Sequence, residues 1–146
     1  MTPRRLDPDV VAVRLRMLRD LLDQLEELRD VAADRLKAEP LTRAAVERFI
    51  QAAVDLAVDV NGHLAVAELD VAPTSGRSSF ELAANAGAID AGLAERLAPA
   101  AGLRNVLVHR YTEIAVDRVA AAVTVVLDGF AEYVRQVAVF TQDHSP

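Results

Sequence analysis

Apolar residues return at helical spacing through almost the whole chain. From Val10 they recur at Val13, Met17, Leu21, Leu25, Leu28 and Val31, with Arg, Asp and Glu between them, which predicts a first amphipathic helix. Pro40 is expected to close this helix and Thr42 to cap the next. The second stripe is Val46, Phe49, Ile50, Ala53, Ala57, Val60, Leu64 and Ala67. The "NGH" at 61–63 lowers helix propensity there, but the stripe runs on past it, so one continuous helix is expected. A loop is predicted over "APTSGRSSF" (72–80), with Ser78 and Glu81 at the S-x-x-E spacing of a capping box opening a short helix that ends at Gly87. Asp90 is the expected cap of the next helix, which carries Leu93, Leu97, Ala100, Ala101, Arg104 and Val108 on one side. The last helix is predicted from about Ile114 to Phe140, with Val116, Val119, Val123, Val126, Phe130, Val134 and Val137 facing inward and "TQDHSP" (141–146) as a frayed tail.

These elements predict an all-α fold: an up-down four-helix bundle with one additional short helix, in a single domain spanning residues 1–146. Composition agrees, since 52% hydrophobic but only 4% aromatic content suits close-packed helices better than a β-sandwich. The absence of cysteine excludes disulfides and thiolate chemistry. The start, "MTPRRLDPDV", lacks an apolar run of signal-peptide length, and no apolar run approaches a membrane span. A soluble, cytoplasmic protein with no membrane contact is the expectation.

The net charge of −6 excludes general polyanion binding, so any nucleic-acid footprint must be local. Charge is unevenly spread. No acidic residue lies between Glu95 and Glu113, whereas Arg96, Arg104, His109 and Arg110 fall in that interval. The first half of helix one, with Arg4, Arg5, Arg14, Arg16 and Arg19, is a second basic surface that suits RNA or an acidic partner.

The acid-free interval contains "LRNVLVHRYTEI" (103–114). Arg104 and His109 are five residues apart, about 140° around a helix, whereas Asn105 and His109, four apart, share a face. Cutting RNA without a metal needs a group to take the 2′-hydroxyl proton or return one to the leaving oxygen, and imidazole titrates in the range for this. It also needs a fixed cation on the phosphoryl oxygens, which guanidinium supplies through planar, bidentate hydrogen bonds. One His and one Arg approach the minimum apparatus, and no cofactor or metal is called for. The competing explanation is a capped helix end, because Arg and His near a C-terminus complement the macrodipole. With fifteen Arg and three His, R-x4-H arises by chance with expectation about 0.3. Requiring Tyr111 two residues after His109 lowers this to about 0.004.

Other polar residues carry less. His63 beside Gly62 is expected to be structural, and His144 in the tail inert. The acidic pairs Asp55/Asp59 and Glu113/Asp117 have i,i+4 spacing but no histidine in the cluster, so they read as solvated faces and no metal site is expected. Tyr133 and Phe130 are expected in the core or an interface.

The R-x4-H-x-Y pattern in "RNVLVHRY" resembles the signature of HepT-type toxins, helical ribonucleases of the HEPN superfamily. "VERFIQAAVDLAVDVNGHLA" (46–65), "SFELAANAGAIDAGLAERLAPAAGLRNVLVHRY" (79–111) and "TEIAVDRV" (112–119) follow the family pattern in order, so the resemblance spans about residues 40–140. It implies a metal-independent endoribonuclease toxin that forms a homodimer, with the motifs of both protomers lining a shared cleft. On that resemblance Arg104 and His109 are catalytic, and Asn105 and Arg110 support them. Tyr111 is the residue modified with AMP by a separately encoded nucleotidyltransferase (MntA-like) antitoxin, as in a type VII-like toxin–antitoxin pair. Adding a negatively charged nucleotide there would block the cleft and repel RNA. The alternative is a non-catalytic helical dimer of the same superfamily that binds nucleotide, RNA or a partner protein.

Overall fold

The computed structural model describes residues 5–109 and 114–144. Helix α1 (Pro8–Leu25) leads through a 3-10 turn (Glu26–Leu28) to the short α2 (Ala33–Ala38). Then come α3 (Pro40–Leu69), the short α4 (Gly76–Asn85), α5 (Ala91–His109) and α6 (Val116–Asp143). Helices α1, α3, α5 and α6 form the expected four-helix bundle, and no strand occurs among the described residues. Helix α3 contacts all the other helices, so it is the element against which α1, α4, α5 and α6 are placed. No helix among the described residues is long and apolar enough to cross a membrane.

The inward face of α1 departs from the predicted stripe until the two meet at Leu25. Val11, Leu15, Leu18, Leu22 and Leu25 are buried, while Val13 and Met17 are 44% and 51% exposed. Helix α1 carries two apolar lines, and the leucine-rich one buries more surface against α3 and α6. Met17 and Leu21, on the other line, border a groove of about 460 Å³ with Asp20, Arg48, Asp55 and Asp59.

The first helix also ends well before Pro40. Leu25, Leu28 and Val31 are spaced by three, the period of a 3-10 helix, and the backbone follows that spacing. Asp30 adopts a left-handed conformation (φ 60°). Arg29 clamps the turn by bonding Glu26 at 2.6 Å and Asp128 of α6 at 3.0 Å. Pro40 opens α3 instead of closing its predecessor, because its fixed φ suits the first helical position, where no N–H is needed. Thr42 is therefore inside the helix, and its hydroxyl donates to Glu39 at 2.9 Å.

The start of α4 moves in the same direction. The capping box is formed by Ser75 and Ser78, not by Ser78 and Glu81: the Ser75 hydroxyl accepts the Ser78 N–H, and the Ser78 hydroxyl accepts the Ser75 N–H, both at 3.0 Å. The end is as expected. Gly87 takes φ +87°, and the N–H groups of Gly87 and Ala88 close onto the carbonyls of Ala84 and Ala83. Helix α6 buries every residue of its predicted stripe, but it runs three residues past Phe140 and buries Thr141, where a frayed tail was expected.

The core is one continuous cluster drawing on all six helices. At its centre Phe80, Phe130 and Tyr133 pack with ring centroids 6.0–6.3 Å apart, as the sequence expected for Phe130 and Tyr133. Where α6 crosses α5, Gly129 leaves room for Leu97: a Cβ there would stand 2.7 Å from a Leu97 methyl. The "NGH" segment does not interrupt α3. Asn61 is fully buried and bonds the Ser79 hydroxyl at 3.1 Å, and the Tyr133 hydroxyl lies 2.5 Å from its Oδ1 and 3.1 Å from the Ala57 carbonyl. Burial pushes the Tyr133 phenol upward in pKa, so it stays a neutral donor. Tyr133→Phe keeps the ring but removes the donor to Asn61, and is expected to cost about 1–3 kcal/mol in a denaturant titration. An unchanged midpoint would show that the network is dispensable.

Asp90 caps α5 as expected, its carboxylate accepting the Leu93 N–H at 2.7 Å. Gln136 of α6 binds the same residue twice, at 2.8 Å to its N–H and 2.8 Å to its carboxylate, which fixes where α5 begins relative to α6. The Leu93 N–H, and then Gln136, hold the Asp90 carboxyl below its ordinary value. Hydrogen bonds from Arg135 and Gln136 lower that of Glu132 to about 2. Because both folded-state values are depressed, this stabilisation is present above the ordinary carboxylate range and is lost as pH falls through the folded values. The melting temperature is expected to hold near pH 5 and fall progressively toward pH 2. A melting temperature flat across that interval would contradict the assignment.

Candidate active site

Helix α5 carries Arg104, Asn105 and His109 of the motif. Its buried line is Leu93, Leu97, Ala100, Leu103 and Leu107, joined by Ala94 and Ala101. This differs from the predicted side, which grouped Arg104 and Val108 with the leucines and left out Leu103 and Leu107. The alanine-rich turn at 98–101 defines the phase weakly, and the step from Ala100 to Leu103 buries the larger side chain. Arg104 is therefore partly exposed, and Asn105, Val108 and His109 are exposed. Val108, an apolar residue 44% exposed, sits among these polar side chains.

The Arg104 guanidinium is held from two sides. Its Nε donates to Asp55 Oδ1 of α3 at 2.8 Å, and its Nη1 donates to Asn105 Oδ1 at 3.3 Å. Asn105, expected to support the arginine, does touch it. Asp55 was read from the sequence as part of a solvated acidic face; it is instead the counter-ion of the motif arginine. Its neighbour Asp59 lies 4.0 Å from Arg14 of α1. His109 is the last residue of α5, one turn beyond Asn105 on the same face. Gly102, two turns before His109, admits a further cation to this face: Arg77 of α4 extends its guanidinium to 3.5 Å from where a Cβ would stand. Arg110, Tyr111 and Glu113 lie outside the described residues.

Beyond the motif the chain is tied back at Ile114, whose carbonyl accepts from Arg43 Nη2 at 3.0 Å. Arg43 Nε bonds the buried Glu47 at 3.2 Å. The motif is thus bracketed by the bound end of α5 and an anchor on α3. His63 is structural, as expected, its Nε2 accepting the Asp7 N–H at 2.9 Å ahead of α1. His144 stacks on Phe140 with centroids 3.9 Å apart. Among the described residues no three His, Asp or Glu side chains converge as a metal site.

Residues 18–137 match the sequence family described as Ribonuclease HepT-like. The chain belongs to that family. Among its HepT-like relatives is a tRNA nuclease HepT from Aphanizomenon flos-aquae, 30% identical over 137 residues, covering 90% of each chain. Two solved structures share the family's helical architecture. One is a tri-AMPylated HEPN toxin of Shewanella oneidensis in complex with MNT antitoxin, at 22% identity and a TM-score of 0.80. The other is a toxin–antitoxin complex with AMP-PNP, at 21% identity and a TM-score of 0.79. Each aligns over 90% of this chain and 98% of its own. These likenesses match the expected all-α HEPN architecture.

Proposed function

We propose that this HepT-like protein is an endoribonuclease toxin that cleaves RNA without a metal, using Arg104 and His109. The observation that supports the reading is at the exposed end of α5, where Arg104 is held by two acceptors and Asn105 and His109 are exposed on one face. Arg104 binds the scissile phosphate and stabilises the charge that develops on its oxygens. His109 takes the 2′-hydroxyl proton or delivers one to the departing 5′ oxygen. Asn105 holds Arg104, and Arg110, next in sequence to the histidine, adds positive charge. The protein acts in the cytoplasm, where its RNA substrate is.

Two protomers complete the site. Arg104 and His109 point about 140° apart on one helix, and the exposed Val108 between them gains by being covered. A homodimer formed over this face brings Arg104 of one copy toward His109 of the other. The partner is a nucleotidyltransferase antitoxin, in keeping with the MNT antitoxin bound by the Shewanella relative. The antitoxin transfers AMP from ATP to the Tyr111 hydroxyl, releasing pyrophosphate, and the added negative charge, two residues from His109 in sequence, opposes binding of the RNA backbone.

The modification is tested by co-expressing the chain with the nucleotidyltransferase and measuring intact mass. Increments of AMP size that vanish in Tyr111→Phe, together with loss of RNA cleavage, are expected. Unmodified protein that is nonetheless inhibited would assign neutralisation to complex formation alone.

A further inference from the structure

We propose that Asp55 is a positioning residue for Arg104, turning the guanidinium so that its outer edge faces the scissile phosphate. The proposal rests on the catalytic assignment of Arg104. Asp55 is on α3 and Arg104 on α5, 49 positions apart in sequence, and their 2.8 Å bond uses the arginine Nε. A guanidinium has two edges able to bind an oxyanion in bidentate fashion, one containing Nε and one formed by the two terminal nitrogens. With Nε committed to Asp55 and one Nη1 hydrogen to Asn105, the plane of the group is fixed, and Nη2 with the second Nη1 hydrogen remains to bind a phosphate. A flexible arginine stem otherwise samples many rotamers, and the cost of ordering it would fall on each encounter with substrate.

Magnitudes separate this role from a stabilising one. The side chains of Arg104 and Asp55 are 30% and 45% exposed, and an ion pair in that setting contributes little to folding. A misplacement of about 1 Å at a reacting group, by contrast, lowers rate on the order of 100-fold. The location fits as well. Between Glu95 and Glu113 the sequence has no acidic residue, so the motif's own helix end offers no carboxylate to hold Arg104, and α3 supplies one.

The test compares wild type, Asp55→Asn, Asp55→Glu, Arg104→Ala and the double variant Asp55→Asn/Arg104→Ala in cleavage of a short RNA. An arginine Nε–H correlation spectrum and a melting curve accompany each. Asp55→Asn should lower kcat by about 10- to 100-fold with KM unchanged or reduced, since a negative charge near the RNA has been removed. The melting temperature should hold, while the Arg104 Nε–H resonance shifts and exchanges faster. Asp55→Glu should recover part of both the rate and the resonance, and Asp55→Asn should add nothing once Arg104 is alanine. Wild-type kcat in Asp55→Asn would overturn the proposal. So would a rise in kcat/KM, which would make Asp55 a competitor of the phosphate, or a further loss in the double variant. If Arg104→Ala itself cleaves at the wild-type rate, the catalytic assignment fails instead, and the same data distinguish the two failures.

Discussion

His109→Ala is expected to lower RNA cleavage by about two to four orders of magnitude while leaving the fold intact. The size follows from the chemistry, because a positioned general acid or base contributes on that scale and the described part of the site contains no second histidine to take over. The fold is expected to be spared because His109 is exposed at the last position of α5, outside the buried core. Circular dichroism and melting should therefore match wild type, and RNA binding should survive, since Arg104 and Arg77 remain. A variant that cleaves at the wild-type rate would remove His109 from the chemistry. It would also favour the non-catalytic reading, a helical dimer that binds without cutting.

Phe130→Ala is expected to lose about 3–5 kcal/mol of stability, the usual cost of emptying a buried aromatic site. Phe130 is fully buried and packs against both Phe80 of α4 and Tyr133 one turn further along α6. Its removal leaves those two rings facing a void and loosens the join between α4 and α6. Against a total stability of about 5–15 kcal/mol, the loss is a large fraction of what holds the bundle together. The melting temperature should fall by roughly 6–20 °C, at about 2–4 °C per kcal/mol for a chain of this size. A fall of under about 2 °C would show that the core relaxes into the space, contrary to the packing described.

The sequence made the bundle legible wherever one apolar line dominated a helix. Helix α6 buries each of its predicted valines, and α3 runs unbroken through Asn61, because packing and a satisfied hydrogen-bond network outweigh local propensity. It misled where two lines competed or where the local signal was ambiguous. Helix α1 has parallel apolar rows, and only the placement of α3 and α6 decides between them. Pro40 marks a boundary in either direction. Ser75 and Ser78 cap as well as Ser78 and Glu81 would, because a serine hydroxyl at the third helical position can accept the cap N–H.

The site divides in the same way. Arg104, Asn105 and His109 are a local pattern, readable because all three fall within six residues and Asn105 and His109, four apart, share a helix face. Asp55 was not readable. Its partner is 49 residues away and the pair exists only because α3 crosses α5 there. The one hint was charge: an arginine-bearing interval without acids can take a counter-ion only from elsewhere in the fold.

The most direct test of the central claim is cleavage by purified protein in EDTA, using an RNA oligonucleotide, its 2′-O-methyl counterpart and the Arg104→Ala variant. If Arg104 and His109 act on a 2′-hydroxyl nucleophile, the RNA is cut to 2′,3′-cyclic phosphate and 5′-hydroxyl ends. The methylated strand then stays whole, and Arg104→Ala loses on the order of 100-fold or more. Cleavage that requires a divalent cation, or that cuts the methylated strand, would contradict the account.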